Sequence, residues 1–306
     1  MQAIKNFYHN KPVLVTGGAG FIGSHITEQL VNIGARVTVL DNLSTGKLTN
    51  LDAVIDKITF ITGDITDYQT CLQATHNQSI VFHGAAVVSV PESVAQPILC
   101  HEINTQGVNT LLEAARSNIV NRVLFSSSSA VYGAQNSTCS EETLCAPTSP
   151  YGFSKLMGEL YCQQYAQVYG LKTLCLRYFN VYGPRQNAQG AHAGVVAKLR
   201  QHMANNQPIT LFGDGLQTRD FSPVGDIAAA NITLGALPPE YFTGQAINIA
   251  RGTSITLLEL IEQLRKEFVD YNQPITFSNP RTGDILHSAA DCTKLHKTLQ
   301  TNNFML

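Results

Sequence analysis

The stretch "VLVTGGAGFIG" sets Gly17, Gly18, Gly20 and Gly23 between a short apolar run and a helical pattern, and no other feature narrows the fold so far. Gly18, Gly20 and Gly23 satisfy GxGxxG in a strand–turn–helix context, which is where that spacing carries weight. Glycines there let a pyrophosphate approach the backbone at a helix N-terminus, where unpaired N–H groups and the helix dipole favour negative charge. Asp41 ends the second apolar run about 20 residues on, where a carboxylate holds the adenosine ribose hydroxyls and repels a 2′-phosphate. The expected ligand is NAD rather than NADP.

The surrounding pattern extends the argument. Runs rich in Val, Ile and Phe at 13–15, 36–40, 58–61, 80–82, 123–125 and 173–176 alternate with helical patterns at 22–32, 104–116 and 151–168, the last closed by Gly170. That alternation predicts an α/β fold, a Rossmann-type doubly wound parallel sheet. After residue 180 the pattern turns irregular, with Gly-rich loops "VYGPRQNAQGAHAG" and "LFGDGLQTRDFSP", before a helix and a strand resume near 226–236 and 246–249. The expected division is an NAD-binding domain over 1–180, its sheet completed by about 221–250, with a smaller interleaved substrate lobe from 181–220 and 251–306. Thr256 followed by Glu259 fits a capping box at the start of one more helix.

A formal net charge of −2 over 306 residues gives no long-range field to hold a polyanion, so no nucleic-acid partner is expected and any anionic ligand must be met by local cations. The seven cysteines show no CxxC and no ligand spacing with His, which predicts free thiols of a reducing compartment and no metal. The N-terminal segment has no signal-peptide pattern, and no run reaches the roughly 18 apolar residues of a membrane span. A cytoplasmic protein without membrane contact is expected.

In "SPYGFSK", Tyr151 stands four residues before Lys155, on one helix face. A phenol titrates near 10 and is a poor base at neutral pH unless a positive charge stabilises the phenolate, which Lys155 and the oxidised nicotinamide ring could supply. The fifth apolar run ends in Ser126, Ser127, Ser128 and Ser129, at a strand C-terminus where ligands bind in this fold, so a hydroxyl there could orient a substrate alcohol.

The segments "TGGAGFIG", "DNLSTG", "GDI", "SSSSAVYG", "YGFSK", "RYFNVYGPRQN", "FGDGLQTRDF" and "RTGDILHSAAD", in this order, resemble the extended short-chain dehydrogenase/reductase family, nearest to its nucleotide-sugar 4-epimerases. The likeness runs over about residues 11–291. It implies that Tyr151 is the base and acid, that Lys155 holds the NAD ribose and lowers the tyrosine pKa, and that Ser128 takes the catalytic Ser/Thr position. The cofactor positions it implies are Gly17, Gly20, Phe21, Ile22, Gly23, Asp41, Asn42, Ser44, Thr45, Gly46, Asp64, Ile65, Ala85, Asn104, Ser126 and Tyr178, besides Tyr151 and Lys155. On the substrate side it implies Ser89, Ser128, Ser129, Tyr151, Asn180, Val195, Lys198, Phe212, Arg219, Arg281, Asp284 and Ser288, with Arg219 and Arg281 clamping the diphosphate by their fixed donor forks. A homodimer through the Asn104 and Tyr151 helices is also implied.

Within the family, sugar 4,6-dehydratases carry Asp-Glu, and UDP-glucuronate decarboxylases a Glu, where this chain has Ser129 and Ala130. With no carboxylate there, the resemblance implies that a 4-keto sugar can only take its hydride back, which is epimerisation. Ser288 occupies the place that glucose/galactose-restricted epimerases fill with a bulky Tyr, leaving room for a 2-acetamido group. The order of expectation is UDP-GlcNAc/UDP-GalNAc, then UDP-Glc/UDP-Gal, then a uronate. The rival class, a catalytically impaired NAD-binding protein on the same fold, would typically have lost Tyr151 or Lys155. The chain departs from the family's pattern beyond Asp291, where Gln300 and Thr301 stand in place of Gly and Tyr, which puts the C-terminal cap and its packing in question.

Overall fold

A strand whose two faces are both covered by helices needs apolar residues on both. The computed structural model, which describes residues 2–135, 137–187, 194–279 and 286–304, assembles the β-branched runs into a seven-stranded sheet. In chain order the first elements are α1 (Gln2–Tyr8), β1 (Pro12–Thr16), α2 (Phe21–Asn32), β2 (Arg36–Asp41), β3 (Ile58–Thr62), α3 (Tyr68–Thr75) and β4 (Ile80–His83). They lead to α4 (Val90–Ala95), α5 (Pro97–His101), a π-helical turn (Glu102–Gln106), α6 (Gly107–Ser117), β5 (Arg122–Ser128), α7 (Pro150–Tyr169) and β6 (Thr173–Tyr178). Then come β7 (Val181–Tyr182), α8 (Val195–Ala204), β8 (Ile209–Phe212), β9 (Thr218–Arg219), β10 (Ser222–Pro223) and α9 (Val224–Gly235). The last are β11 (Thr243–Ile249), β12 (Ile255–Thr256), α10 (Leu257–Glu267), β13 (Ile275–Ser278), β14 (His287–Ser288) and α11 (Thr293–Thr301).

The sheet runs β11–β6–β5–β4–β1–β2–β3 with every neighbouring pair parallel, which is the doubly wound order. Period-2 alternation divides the side chains between its faces. Val13, Val15, Phe82 and Leu124 pack with Leu30, Ile227 and Leu295 on one side. Leu14, Val81 and Phe125 pack with Leu111 and Cys162 on the other. A separate apolar cluster joins Val196, Leu199, Leu211, Leu260 and Ile261 around α8, β8 and α10.

The termini of α7 follow from its sequence. Ser149 caps it by accepting from Gly152 N, Pro150 takes the first turn, and Gly170 leaves it at φ +71. The capping box of Thr256 and Glu259 forms at the start of α10. The stretch expected as one helix from 104 instead opens with the π turn, because Asn104 is turned to grip the backbone of Val87. Beyond Asp291, Gln300 and Thr301 continue α11, which buries Leu295 and Leu299 and donates Lys294 Nζ to Ala246 O at 2.7 Å, so that helix packs despite the departure. All seven cysteines are free, six of them buried. Among the described residues no helix is long and apolar enough to cross a membrane.

Candidate active site

In sheets of this kind ligands bind where the strand order reverses, here between β1 and β4. Gly17 leaves β1 at φ +69, and a Cβ on it would fall 2.7 Å from Ala85 N across that divide. A Cβ on Gly23 would meet Gly17 O at 2.1 Å, while Gly20 caps α2 without a side chain and donates its N–H to Gly17 O at 3.0 Å. Phe21, Ile22 and Gly23 then open the helix, where N–H groups lack intrahelical acceptors. Gly18 serves differently: its Cβ would sit 2.7 Å from Val39 Cγ1, so it lets α2 lie close on β2 rather than a ligand close on the loop.

Asp41 closes β2, buried, with Oδ2 accepting from Ala19 N at 2.9 Å and Oδ1 from Leu43 N at 2.8 Å. Gly46 backs that carboxylate, and Ser44 and Thr45 lie exposed at the same mouth. Asn42 donates to Asp64 Oδ2 at 2.7 Å, and Thr66 donates twice to Asp64 Oδ1. Burial would raise the Asp64 pKa, but these hydrogen bonds win and hold it below the usual range. Ile65 is buried beside Gly107. A loop that only glycine can line, a helix start facing it and a fixed carboxylate on the next strand fit NAD.

Three elements bring the candidate catalytic side chains together. Ser128 ends β5 and its Oγ accepts from Ala130 N at 3.2 Å, Ser129 beginning the turn that follows. Tyr151 and Lys155 lie one turn apart on α7, as the spacing predicts. Burial pushes the Tyr151 phenol up, and the hydrogen bond with Ser128 opposes it. Lys155 is 4% exposed; burial pushes its ammonium down to about 8, against the pull of Cys100 and Glu159. Its Nζ donates to Ser126 O at 2.8 Å and stands 5.9 Å from the Tyr151 ring centroid. In this geometry the Ser128 hydrogen bond favours the phenolate, while the Lys155 ammonium is turned to the strand end.

The residues expected to line the cofactor are tied to the same helix. Asn104 exchanges hydrogen bonds with Val87 N and O, both at 2.8 Å, and donates to Ser154 Oγ at 3.0 Å. Ala85 N reaches Thr16 Oγ1 at 3.4 Å. Tyr178 OH meets Ser126 Oγ at 3.1 Å and donates to Asn231 Oδ1 at 2.8 Å.

On the other side, Asn180 adopts φ +33 and donates Nδ2 to Asp220 O at 3.0 Å and to Ser288 Oγ at 3.4 Å. Ser288 pairs in register with Arg219, whose Nη1 donates to Thr218 O at 2.9 Å, so Asn180, Arg219 and Ser288 converge. Val195 and Lys198 share the first turns of α8, Phe212 closes β8, and Ser89 caps α4 by accepting from Glu92 N at 3.2 Å. Arg281 and Asp284 lie outside the described residues.

Sequence reasoning missed a buried pair beneath this site. His83 Nδ1 is 2.7 Å from Thr16 Oγ1, and its ring lies 5.7 Å from that of Phe125, over which Lys155 Nζ stands at 5.0 Å. Its signal was parity: Thr16 follows Leu14, and His83 follows Val81, on the face that α6 and α7 cover. It also missed Glu159, which accepts from Ser127 Oγ and from Arg177 in a buried bidentate pair at 2.9 and 2.7 Å. That signal was the carboxylate one turn beyond Lys155.

The sequence profile of the NAD dependent epimerase/dehydratase family matches residues 13–250. The UDP-glucose 4-epimerase of Mycolicibacterium smegmatis is 36% identical over 291 residues, covering 94% of this chain and 91% of its own. The structure of a UDP-N-acetylglucosamine 4-epimerase from Methanobrevibacter ruminantium, in complex with UDP-N-acetylmuramic acid, superposes with a TM-score of 0.90 at 39% identity, over 95% of this chain and 92% of that one. A Thermus thermophilus UDP-glucose 4-epimerase in complex with NAD superposes with a TM-score of 0.83 at 36% identity, over 94% and 92%. With its glycine loop at the switch point and its tyrosine and lysine on α7, the chain belongs to the NAD dependent epimerase/dehydratase family, and NAD is its cofactor.

Proposed function

We propose that this chain is a 4-epimerase of UDP-sugars that prefers the UDP-GlcNAc/UDP-GalNAc pair. The observation that carries the reaction is the hydrogen-bonded Ser128 and Tyr151 beside Lys155, followed by Ser129 and Ala130 where a carboxylate would be needed for elimination or decarboxylation. Tyr151, oriented by Ser128, takes the C4 hydroxyl proton and later returns it. NAD, when bound, accepts the C4 hydride and gives it back. Asn180 and Arg219, with Arg281, grip the diphosphate, and Asp284 takes the nucleoside ribose, while the sugar turns over between the two transfers. The sugar preference rests on Ser288, a small side chain hydrogen-bonded to Asn180 where bulk would exclude an acetamido group. Seven free thiols suit a reducing compartment such as the cytoplasm. The partner is a second copy of the chain.

The test is to incubate purified protein with UDP-GlcNAc and, separately, with UDP-Glc, and to follow C4 inversion by NMR. Inversion of UDP-GlcNAc is expected, with Tyr151→Phe slower by roughly 10²–10⁴-fold. Ser288→Tyr is expected to abolish turnover of the acetamido sugar and spare UDP-Glc; equal loss of both would count against the gate. No inversion of any UDP-hexose, with Tyr151→Phe indistinguishable from the wild type, would sink the enzyme reading.

A further inference from the structure

We propose that Arg185 is a positioning residue: it latches the loop that enters the substrate lobe onto α2, the helix that opens at the glycine cradle, and so sets the grip on the UDP-sugar. The proposal rests on the epimerase reading above.

After β7 the chain passes through Gly183, Pro184, Arg185 and Gln186 on its way to Gly194, the cap of α8. Three consecutive residues are anchored. Pro184 O accepts from His25 Nε2 at 3.1 Å. The Arg185 guanidinium pairs with Glu28 Oε2 and places Nη1 3.3 Å from Ser24 Oγ. Gln186 Nε2 donates to Val181 O at 3.1 Å, and a Cβ on Gly194 would lie 2.9 Å from that same nitrogen. Ser24, His25 and Glu28 all belong to the first eight residues of α2, and the ring of His25 meets Phe21, the first residue of the helix, edge-on at 6.3 Å.

The backbone adds an independent observation. Arg185 holds φ +68, a left-handed conformation that glycine adopts freely and a residue with a Cβ adopts only where its surroundings hold it. Glycine would have sufficed for the turn, so the position uses the arginine side chain. A planar fork can meet the Glu28 carboxylate and the Ser24 hydroxyl together, which a lysine point charge would not do. The consequence is that the start of α8, with Val195 and Lys198, is referenced to the cofactor helix as well as to the core of its own lobe. Losing that reference should loosen the substrate side and leave Ser128, Tyr151 and Lys155 as they are.

The experiment compares NAD-loaded wild type, Glu28→Gln, Arg185→Gly and the charge swap Glu28→Arg with Arg185→Glu. It reads KM and kcat for UDP-GlcNAc, Kd for UDP by calorimetry, and bound NAD per chain. Arg185→Gly relieves the left-handed strain and serves as the variant that folds. In both single variants KM and the UDP Kd should rise about tenfold, within the range of site-to-site couplings, with kcat changed by less than about twofold. Bound NAD should be unchanged, and the swap should recover most of the loss. Where the wild type epimerises, unchanged KM and Kd in the single variants would overturn the latch alone, as would a loss confined to kcat or a swap no better than the single variants. A wild type that binds UDP, weakens as described in the variants and inverts no sugar would keep the latch and remove the epimerase reading. A wild type that binds no UDP would remove both.

Discussion

His83 carries a titratable ring into a place that disfavours its charged form. Burial, and then the nearby Lys155 ammonium, push it from 6.5 down to about 3, and Thr16 fixes its Nδ1. Between those two values the unfolded chain binds a proton that the folded chain refuses, so stability falls as pH drops through the window and is untouched above it. From pH 6.5 to about pH 4 the loss attributable to this ring is about 3 kcal/mol. His83→Asn keeps a polar partner for Thr16 and removes the titration. The unfolding free energy from urea titrations should therefore fall between neutral pH and about pH 4 by about 3 kcal/mol less in the variant than in the wild type, with NAD held constant. Parallel losses would show that the ring is not the group that titrates. Tyr151 and Lys155 were legible in the sequence because their spacing is local, four residues on one helix. His83 and Arg185 were not, because their partners Thr16 and Glu28 stand 67 and 157 residues away, distances that only the sheet order closes.

At the scale of elements, the strands and helices were legible because apolar period and caps are written locally, as at Ser149, Gly170 and the Thr256 capping box. The π turn was not, since it depends on Asn104 reaching Val87 across a loop. Nor was the division of labour among the glycines, which depends on what each Cβ would meet. That division makes a contrast testable. Gly17→Ala puts a Cβ at φ +69 and 2.7 Å from backbone at Ala85, costing about 1–2 kcal/mol for the left-handed conformation before the clash is added. Gly225, in the first turn of α9, has nothing within 4 Å of its Cβ, so Gly225→Ala gains up to about 1 kcal/mol of helix propensity. Gly17→Ala should lose bound NAD and melt several degrees lower, whereas Gly225→Ala should keep NAD and melt at or slightly above the wild type. Retention of full NAD occupancy by Gly17→Ala would show that the strand-end loops can part without cost to the cradle.

For the whole molecule, α7 is the element that joins the site to the outer surface. One side of it buries Lys155, Glu159 and Cys162 against the sheet. The other presents Phe153, Met157 and Leu160 at i, i+4 and i+7, with Phe153 57% exposed, and Val94 and Ile98 of α4 and α5 add to the exposed apolar surface, Ile98 at 73%. An exposed apolar patch of this kind marks an association surface. Two copies related by a twofold axis would each supply the same patch, the isologous arrangement commonest among oligomers. The contact would reach the chemistry directly, since Tyr151 N donates to Ser93 Oγ of α4 at 3.1 Å. Sedimentation of the NAD-loaded protein should give a single species of twice the chain mass. Ile98→Asp combined with Met157→Asp places a carboxylate on α5 and on α7 and should give the single-chain mass with the fold retained by circular dichroism. Because α4 then loses its cover beside Tyr151, kcat should fall with it. A dimer indifferent to both carboxylates would mean that the copies meet elsewhere and that the outer face of α7 is left to another partner.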